Sequence, residues 1–498
     1  MRPNFDRAGH SGQKPSFSLS RITTTLLLAG SLAGCGSLFG GDEPDTSAPL
    51  GAVTESSRNA RGLTGVGRVS AENQAIEATG GFVVADEPQA ALVARDVLEA
   101  GGTAADAAVS LYFMLAVTQP QAAGLGGGGI CLVHDRSDRK TESIEFLPRR
   151  ASAGGSVAVP GNVRGFALMH AKYGQASWSR LLAPAERLAA TGTPVSRAMA
   201  RALGPHTNLL RGDGALAKGL LTSGGLPLKE LNEATQIELA STLGLVRSRG
   251  VSALYSGDGV TTFADAIRES GGNVSVADLR NYRPVVSEAG RLEAGVVSLH
   301  TPSNNVGAGA FAGKLWAALE GVAPTDGEGA ARAAEAAALQ LGAPDRLPDD
   351  LGSTGFAVVT ANGDAVACAV TTNGAFGTGR TASGMGVVLA RSPDDPASGL
   401  ASAFLAPVIA VAADNATLSF AGASAGGPSA VAGVLQVARQ MLVSDGKALG
   451  AALQAATPGP APLVNAISCP AGLPGGLAQC EFGVDPDGAG LGAEAISQ

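Results

Sequence analysis

A hydroxyl pair, Ser353-Thr354, stands directly after Gly352 in the run Asp350-Leu351-Gly352-Ser353-Thr354, ahead of the apolar stretch GFAVV. Alone, such a pair marks a turn or a strand edge. No histidine in the chain is placed to complete an obvious triad. A hydroxyl that is to attack an amide here must find its base elsewhere. A Ser or Thr freed as a new chain N-terminus carries one, its own α-amine. Such self-cleavage needs a small residue ahead of the nucleophile, and Gly352 supplies it. The chemistry open to this segment is amide hydrolysis by a residue that first cuts its own chain.

Other chemistries find less support. No CxxC and no clustered His/Cys spacing suggests zinc, and none of the 5 His has a spacing partner. The glycine run at 124–129 feeds the apolar stretch ICLVHD. It has no GK[ST], and its order is loop then strand rather than strand-loop-helix, so a phosphate loop is not expected. Neither a metal nor a cofactor is expected. The net charge of −8 and the absence of a basic run in the body argue against nucleic acid as a partner.

The N-terminus reads as an export signal. Arg2, Arg7, Lys14 and Arg21 precede a short apolar core at 22–33, below the roughly 20 residues a membrane-spanning helix needs. Its end, Leu32-Ala33-Gly34-Cys35, resembles a lipobox, in which Cys35 would take a diacylglycerol. Gly36 follows, not Asp, so nothing argues for inner-membrane retention. The expected location is the periplasmic side of the envelope, lipid-anchored, at the outer rather than the inner membrane. Residues 36–76, rich in Gly, Ser, Pro and mixed charge, read as a flexible tether. Of the 5 cysteines, Cys131 and Cys368 lie in apolar runs and read as buried thiols. Cys469 and Cys480 bracket a Gly/Pro-rich loop and are expected to pair in an oxidising compartment.

The elements that must position Ser353 are legible in outline. A strand is expected at 82–85 and a helix at 88–100, with Pro88 in its first turn and Gly101-Gly102 ending it. Thr103 reads as the N-cap of a buried helix over 104–117, with Asp106 at the capping-box position. Residues 157–290 read as mainly helical. From Gly355 a hairpin turns at Ala361-Asn362-Gly363-Asp364, and strands follow at MGVVLA, APVIAVAA and ATLSFAGA. SAGGPSAVAGVLQVARQML passes from a Gly-rich loop into a long helix. Helices between strand-rich parts suit an α+β layered sandwich.

Together these segments resemble the γ-glutamyltranspeptidase family, which includes cephalosporin-acylase-like members. The resemblance runs, with gaps, over about 81–440. ADEPQAALVARDVLEAGGTAADAAV looks like the family's first strand-helix unit and GLGGGGICLVHD like its Gly-rich segment. VAVPGNVRGFALMHAKYG, LLAPAERLA and ADLRNYRP look like later large-subunit signatures, and STGFAVVTANGDAV like the opening of the small subunit.

The resemblance implies a four-layer αββα sandwich of the N-terminal-nucleophile type, cut autocatalytically into a large part, 77–352, and a small part, 353–498. It makes Ser353 the nucleophile, with Thr354 the alternative if the register is off by one. Thr371 would hydrogen-bond the nucleophile hydroxyl. Gly426-Gly427 would form the oxyanion hole. Arg149 would pair with the substrate α-carboxylate, Asn373 would contact the amino-acid end, and Asp395 would take the α-amino group. Ser392 stands where the family has Gln or Glu.

There are departures. Ser replaces Thr at 353, Gly355 replaces a His, Ala403-Phe404 replace two carboxylate-binding serines, and no lid loop separates Asp395 from Ala406. The implied activity is cleavage of γ-glutamyl amides such as glutathione. The alternatives are an acylase or amidase of different acyl specificity, and a catalytically inactive envelope binding protein. The two parts would self-associate. With the lipid on the large part only, the small part would be held by non-covalent packing alone.

Overall fold

The computed structural model describes residues 66–68, 80–348, 350–396, 399–443, 448–456 and 463–496. The expected signal segment with Cys35, and most of the expected tether, lie outside these residues.

Two seven-stranded sheets, with antiparallel pairing throughout, carry the described fold. In chain order the strands are β1 (Val66–Arg68), β2 (Gly80–Ala85), β3 (Gly128–Asp135), β4 (Lys140–Phe146), β5 (Val285–Glu288), β6 (Gly290–Ala294) and β7 (Val297–Thr301). The remainder are β8 (Ser353–Thr360), β9 (Ala365–Thr371), β10 (Ala406–Ala412), β11 (Leu418–Ala425), β12 (Leu463–Leu473), β13 (Glu481–Val484) and β14 (Leu491–Ile496). One sheet runs β14-β2-β8-β9-β3-β4-β5 and the other β1-β13-β12-β11-β10-β7-β6.

Alternation along β8 shows how layers arise from such strands. Phe356 and Val358 belong to the apolar cluster shared with the helices α1 (Pro88–Glu99), α2 (Ala104–Thr118) and α3 (Asn162–Tyr173). Ala357 and Val359 point the other way, into a cluster between the sheets with Ile409, Ala421 and Ile467. A third cluster joins β10 and β11 to α4 (Gly327–Gln340) and α5 (Pro428–Val443). Three apolar layers separate four layers of structure, in the expected αββα order.

The helix signals read from the sequence are present as capping chemistry. Thr103 and Asp106 form a reciprocal capping box, and every residue of α2 is buried. Tyr112 stacks on Phe166 of α3 with ring centroids 3.9 Å apart. Truncating such a buried aromatic costs about 3–5 kcal/mol.

Three expectations are corrected. First, Val66–Arg68, within the expected tether, is an edge strand paired with β13. Pairing at a sheet edge uses main-chain groups and needs no apolar period. Second, Val285–Glu288, within the expected helical region, is a strand on the edge of its sheet. The tail beyond 455 supplies β12, β13 and β14, and β14 pairs with β2. Third, Cys131 and Cys368 are not free thiols but a disulfide. They face one another across β3 and β9, in register. Spacing in sequence could not show that pairing, because 237 residues separate them. Cys469 and Cys480 pair as expected.

Candidate active site

Ser353 opens β8, directly opposite Thr371 at the end of β9. The residues before it are pinned across that strand end. Leu351 O accepts from Gly374 N at 2.8 Å, and Gly352 N donates to Asp350 Oδ1 at 2.8 Å. Gly352 has φ +58°. A Cβ there would lie 2.2 Å from Gly374 O, so only glycine fits. Its carbonyl oxygen accepts from Thr371 Oγ1 at 2.9 Å and from Thr372 N at 3.0 Å. Two donors on one carbonyl are what polarises it for attack and holds the oxyanion that attack creates.

Across the site, β11 gives way to α5 through Gly426-Gly427, with φ of +114° and +87°. Left-handed backbone at two successive residues is a glycine conformation. Pro428 then occupies the first turn of the helix. Gly426 N points at Ser353 Oγ, 3.4 Å away. The amide ends of a 16-residue helix therefore stand beside the hydroxyl, where negative charge would develop.

The two candidate hydroxyls are treated differently. Ser353 is partly exposed, whereas Thr354 is buried. Thr354 Oγ1 donates to Asp86 Oδ2 at 2.7 Å. Asp86 also accepts from Gly355 N at 3.2 Å and from Asn465 Nδ2 at 2.7 Å. The alternation of β8 puts Thr354 on the face of Phe356 and Val358 and leaves Ser353 lining the cleft, a geometry that favours Ser353 of the two candidates. Burial raises the Asp86 carboxyl above its usual range, with the bonds from Thr354, Asn465 and Gly355 opposing that rise. Gly355, in place of the family's histidine, lets β11 approach: a Cβ there would sit 3.0 Å from Ala423 Cβ.

Ser353 lines a cleft of about 320 Å³ with Asp86, Gln121, Arg201, Asp350 and Gly426. Arg201 Nη1 is held by Asp487 O at 2.8 Å. Sequence reasoning missed Asp86 and Arg201. An acidic pair, Asp86-Glu87, at the end of an apolar strand was the available signal for the first. Nothing in the sequence marked the second. Among the described residues, no group of three or more His, Cys, Asp or Glu is arranged to hold a metal ion.

The other expected site residues are only partly brought together. Thr371 donates to Gly352 O rather than to the nucleophile hydroxyl, and accepts from Asn373 N at 2.9 Å. Asn373 is fully buried, with φ +52°. Its Nδ2 donates to Arg391 O at 3.0 Å and its Oδ1 accepts from Ser402 Oγ at 2.9 Å. Arg391 reaches Asp395 at 3.5 Å, and Ser392 is buried, its Oγ accepting from Asp394 N at 3.3 Å. Asn373, Ser392 and Asp395 thus gather around Arg391.

Arg149 does not join this group. Its guanidinium lies over the Tyr282 ring and donates to Arg283 O at 2.8 Å. The neighbouring Arg150 faces the Ser392–Asp395 loop instead, with Nε 2.9 Å from Asp394 Oδ2. Both lie on the short strand Arg149–Arg150, and alternation sends their side chains to opposite faces.

The gamma-glutamyltranspeptidase family model matches residues 90–343, just over half of the chain. The chain is 33% identical over 230 residues to a glutathione hydrolase proenzyme of Bacillus subtilis (strain 168), covering 42% of this chain and 39% of that protein. It is 30% identical over 229 residues to the acylase ACY 1 proenzyme of Pseudomonas sp. (strain SE83), covering 41% of each. The aligned part thus spans about two fifths of these curated relatives. Among solved structures, a cephalosporin acylase from Bacillus halodurans superposes with a TM-score of 0.69 at 18% identity, over 84% of this chain and 96% of that one. That likeness concerns the fold.

Proposed function

The chain belongs to the gamma-glutamyltranspeptidase family, and from that premise we propose that it is a self-processing N-terminal-nucleophile hydrolase with Ser353 as nucleophile. The observation that carries the reading is the environment of the Gly352–Ser353 peptide. Its carbonyl oxygen lies under Thr371 Oγ1 and Thr372 N, while the Ser353 hydroxyl opens to the cleft beside Gly426.

Maturation follows from those groups. Ser353 Oγ attacks the Gly352 carbonyl carbon as the C–N bond breaks. The acyl group moves to oxygen, and nitrogen takes the proton as the free amine. Water then hydrolyses the ester, leaving a Gly352 carboxylate and a Ser353 N-terminus. In turnover, the freed α-amine takes the hydroxyl proton as Oγ attacks a substrate amide. Gly426 and Gly427 then present their N–H groups to the tetrahedral oxygen.

The substrate class is an amide of a γ-glutamyl or similar acyl group, glutathione among them. Arg150 and Arg391 are suited to hold a carboxylate. The Arg150–Asp394 pair is 66% and 50% exposed. Such a pair contributes at most about 1 kcal/mol, so a ligand carboxylate can displace it. A second reading, an acylase of different specificity, is favoured by Asn373, whose carboxamide is already occupied by Ser402 and Arg391. Lipid attachment at Cys35 and a periplasmic location complete the proposal. Two disulfides among the described cysteines are consistent with export.

Turnover of a panel of γ-glutamyl and other acyl anilides, beside a Ser353→Ala control, tests the reading. Release of anilide that the control lacks supports it and ranks the acyl groups. A processed protein that releases none of them is a binding scaffold.

A further inference from the structure

We propose that the Cys131–Cys368 disulfide is an interchain bond in the mature protein, holding the two products of self-cleavage together covalently. This rests on the processing reading above. Cys131 lies on β3, before the Gly352–Ser353 bond, and Cys368 lies on β9, after it. A cut between 352 and 353 therefore leaves one cysteine on each product. The second disulfide, Cys469–Cys480, lies wholly within the C-terminal product. The expectation that the small part is held by non-covalent packing alone is replaced accordingly.

The position of the bond gives it a role in the site. The N-terminal product carries Asp86, Arg150 and Gln121, and the C-terminal product carries Ser353, Thr371 and Gly426-Gly427. Neither has a complete cleft. The two products interleave in both sheets, with β2 of the first between β14 and β8 of the second. Within this interleaved sheet, β3 and β9 form the neighbouring boundary between the products, and the disulfide crosses it. In the uncut chain the bond closes a loop. After cleavage that loop is open and the bond becomes a tether, which makes reassembly unimolecular.

Bond formation removes two protons and two electrons from the thiols and passes them to a disulfide oxidant of the exporting compartment. Both cysteines are fully buried in the folded sheet. The bond must therefore form before the sheet closes. A reductant reaches it only when the sheet opens.

Denaturing electrophoresis of the purified protein, with thiols alkylated at lysis, tests this with and without reductant. The expected result is a single species without reductant and two pieces with it, while Cys368→Ala gives two pieces in both lanes. Two pieces from the wild type without reductant, with alkylated Cys131 and Cys368, would overturn the proposal and leave the processing reading intact. One full-length band in both lanes would sink the processing reading, and the interchain bond with it. Refolding by dilution from urea supplies a functional readout. Recovery of anilide turnover is expected to be independent of protein concentration without reductant, and to fall at least several-fold per tenfold dilution once the bond is reduced. Equal concentration dependence in the two conditions would count against a tether.

Discussion

Thr354 Oγ1 donates to Asp86 Oδ2 at 2.7 Å in a buried setting, which sets it apart from the adjacent hydroxyl. By the alternation of β8, Thr354 lies on the face of Phe356 and Val358, away from that of Ser353. Its neighbour Ser353 is left facing the cleft and Gly426 N. Thr354→Val should therefore leave self-cleavage in place while lowering stability by about 1–3 kcal/mol, the cost of taking one of three donors from a buried carboxyl. Ser353→Ala should abolish cleavage with little change in melting temperature. Denaturant titration and electrophoresis of both variants check the pair. Loss of cleavage in Thr354→Val with retention in Ser353→Ala would reverse the assignment.

Thr371 supplies one of the two donors on the Gly352 carbonyl. Thr371→Val removes that donor while keeping the shape. Self-cleavage should slow by about 10²–10³-fold, as when an oxyanion-hole donor is deleted. Thr371→Ser should retain most of the rate. Timed electrophoresis from first expression measures both. A Thr371→Val rate equal to wild type would show that Thr372 N alone suffices.

Gly352 combines a left-handed backbone with a close approach to Gly374 O. Gly352→Ala should cost about 1–2 kcal/mol for the backbone conformation alone, with the Cβ collision added. The loop would move off the end of β9, and cleavage should fall below detection. Wild-type cleavage in this variant would mean that the pinned geometry is not the reactive one.

The two adjacent arginines separate by function. Arg150→Gln should raise KM for carboxylate-bearing donors about 10-fold or more, in line with losing a charge-assisted hydrogen bond, with kcat changed less. Arg149→Gln should leave both constants near wild type, because its guanidinium serves Tyr282 and Arg283 O. The reverse pattern would restore Arg149 to the substrate site.

Burial pushes the Glu87 carboxyl up from 4.5 to about 7, the cap bond to Ala90 N being too weak to offset it. An unfolded chain ionises this group at its ordinary value. From pH about 4.5 to about 7 the unfolded state has lost a proton that the folded state keeps, so stability falls as pH rises through that window. The full shift corresponds to about 3 kcal/mol. Glu87→Gln keeps an acceptor for Ala90 N and removes the buried charge, at a cost of about 1–2 kcal/mol for the changed hydrogen bonds of its amide. The variant should melt higher than wild type at pH 8, and the gain should vanish near pH 4.5. An equal or lower melting temperature at pH 8 would contradict the burial argument.

Much of this was legible in the sequence where the signal is local. The Thr103/Asp106 capping box, the Asn362-Gly363 hairpin and the Gly426-Gly427 entry into α5 each follow from the chemistry of a few neighbouring residues. Gly352-Ser353 could be singled out because a small residue precedes a hydroxyl that would gain an amine base on self-cleavage. What was hidden depends on pairing across the chain. The Cys131–Cys368 bond, the Asp86–Thr354 contact and the strand Val66–Arg68 all join segments hundreds of residues apart. The choice between Arg149 and Arg150 turns on the alternation of a two-residue strand, too short to leave a periodic trace.

The N-terminal sequence and mass of the fragments formed on incubation test the central claim most directly. The account predicts a C-terminal product beginning at Ser353, formed by purified wild-type protein and not by Ser353→Ala. A chain that stays intact, a product beginning at Thr354, or equal cleavage in Ser353→Ala would contradict it.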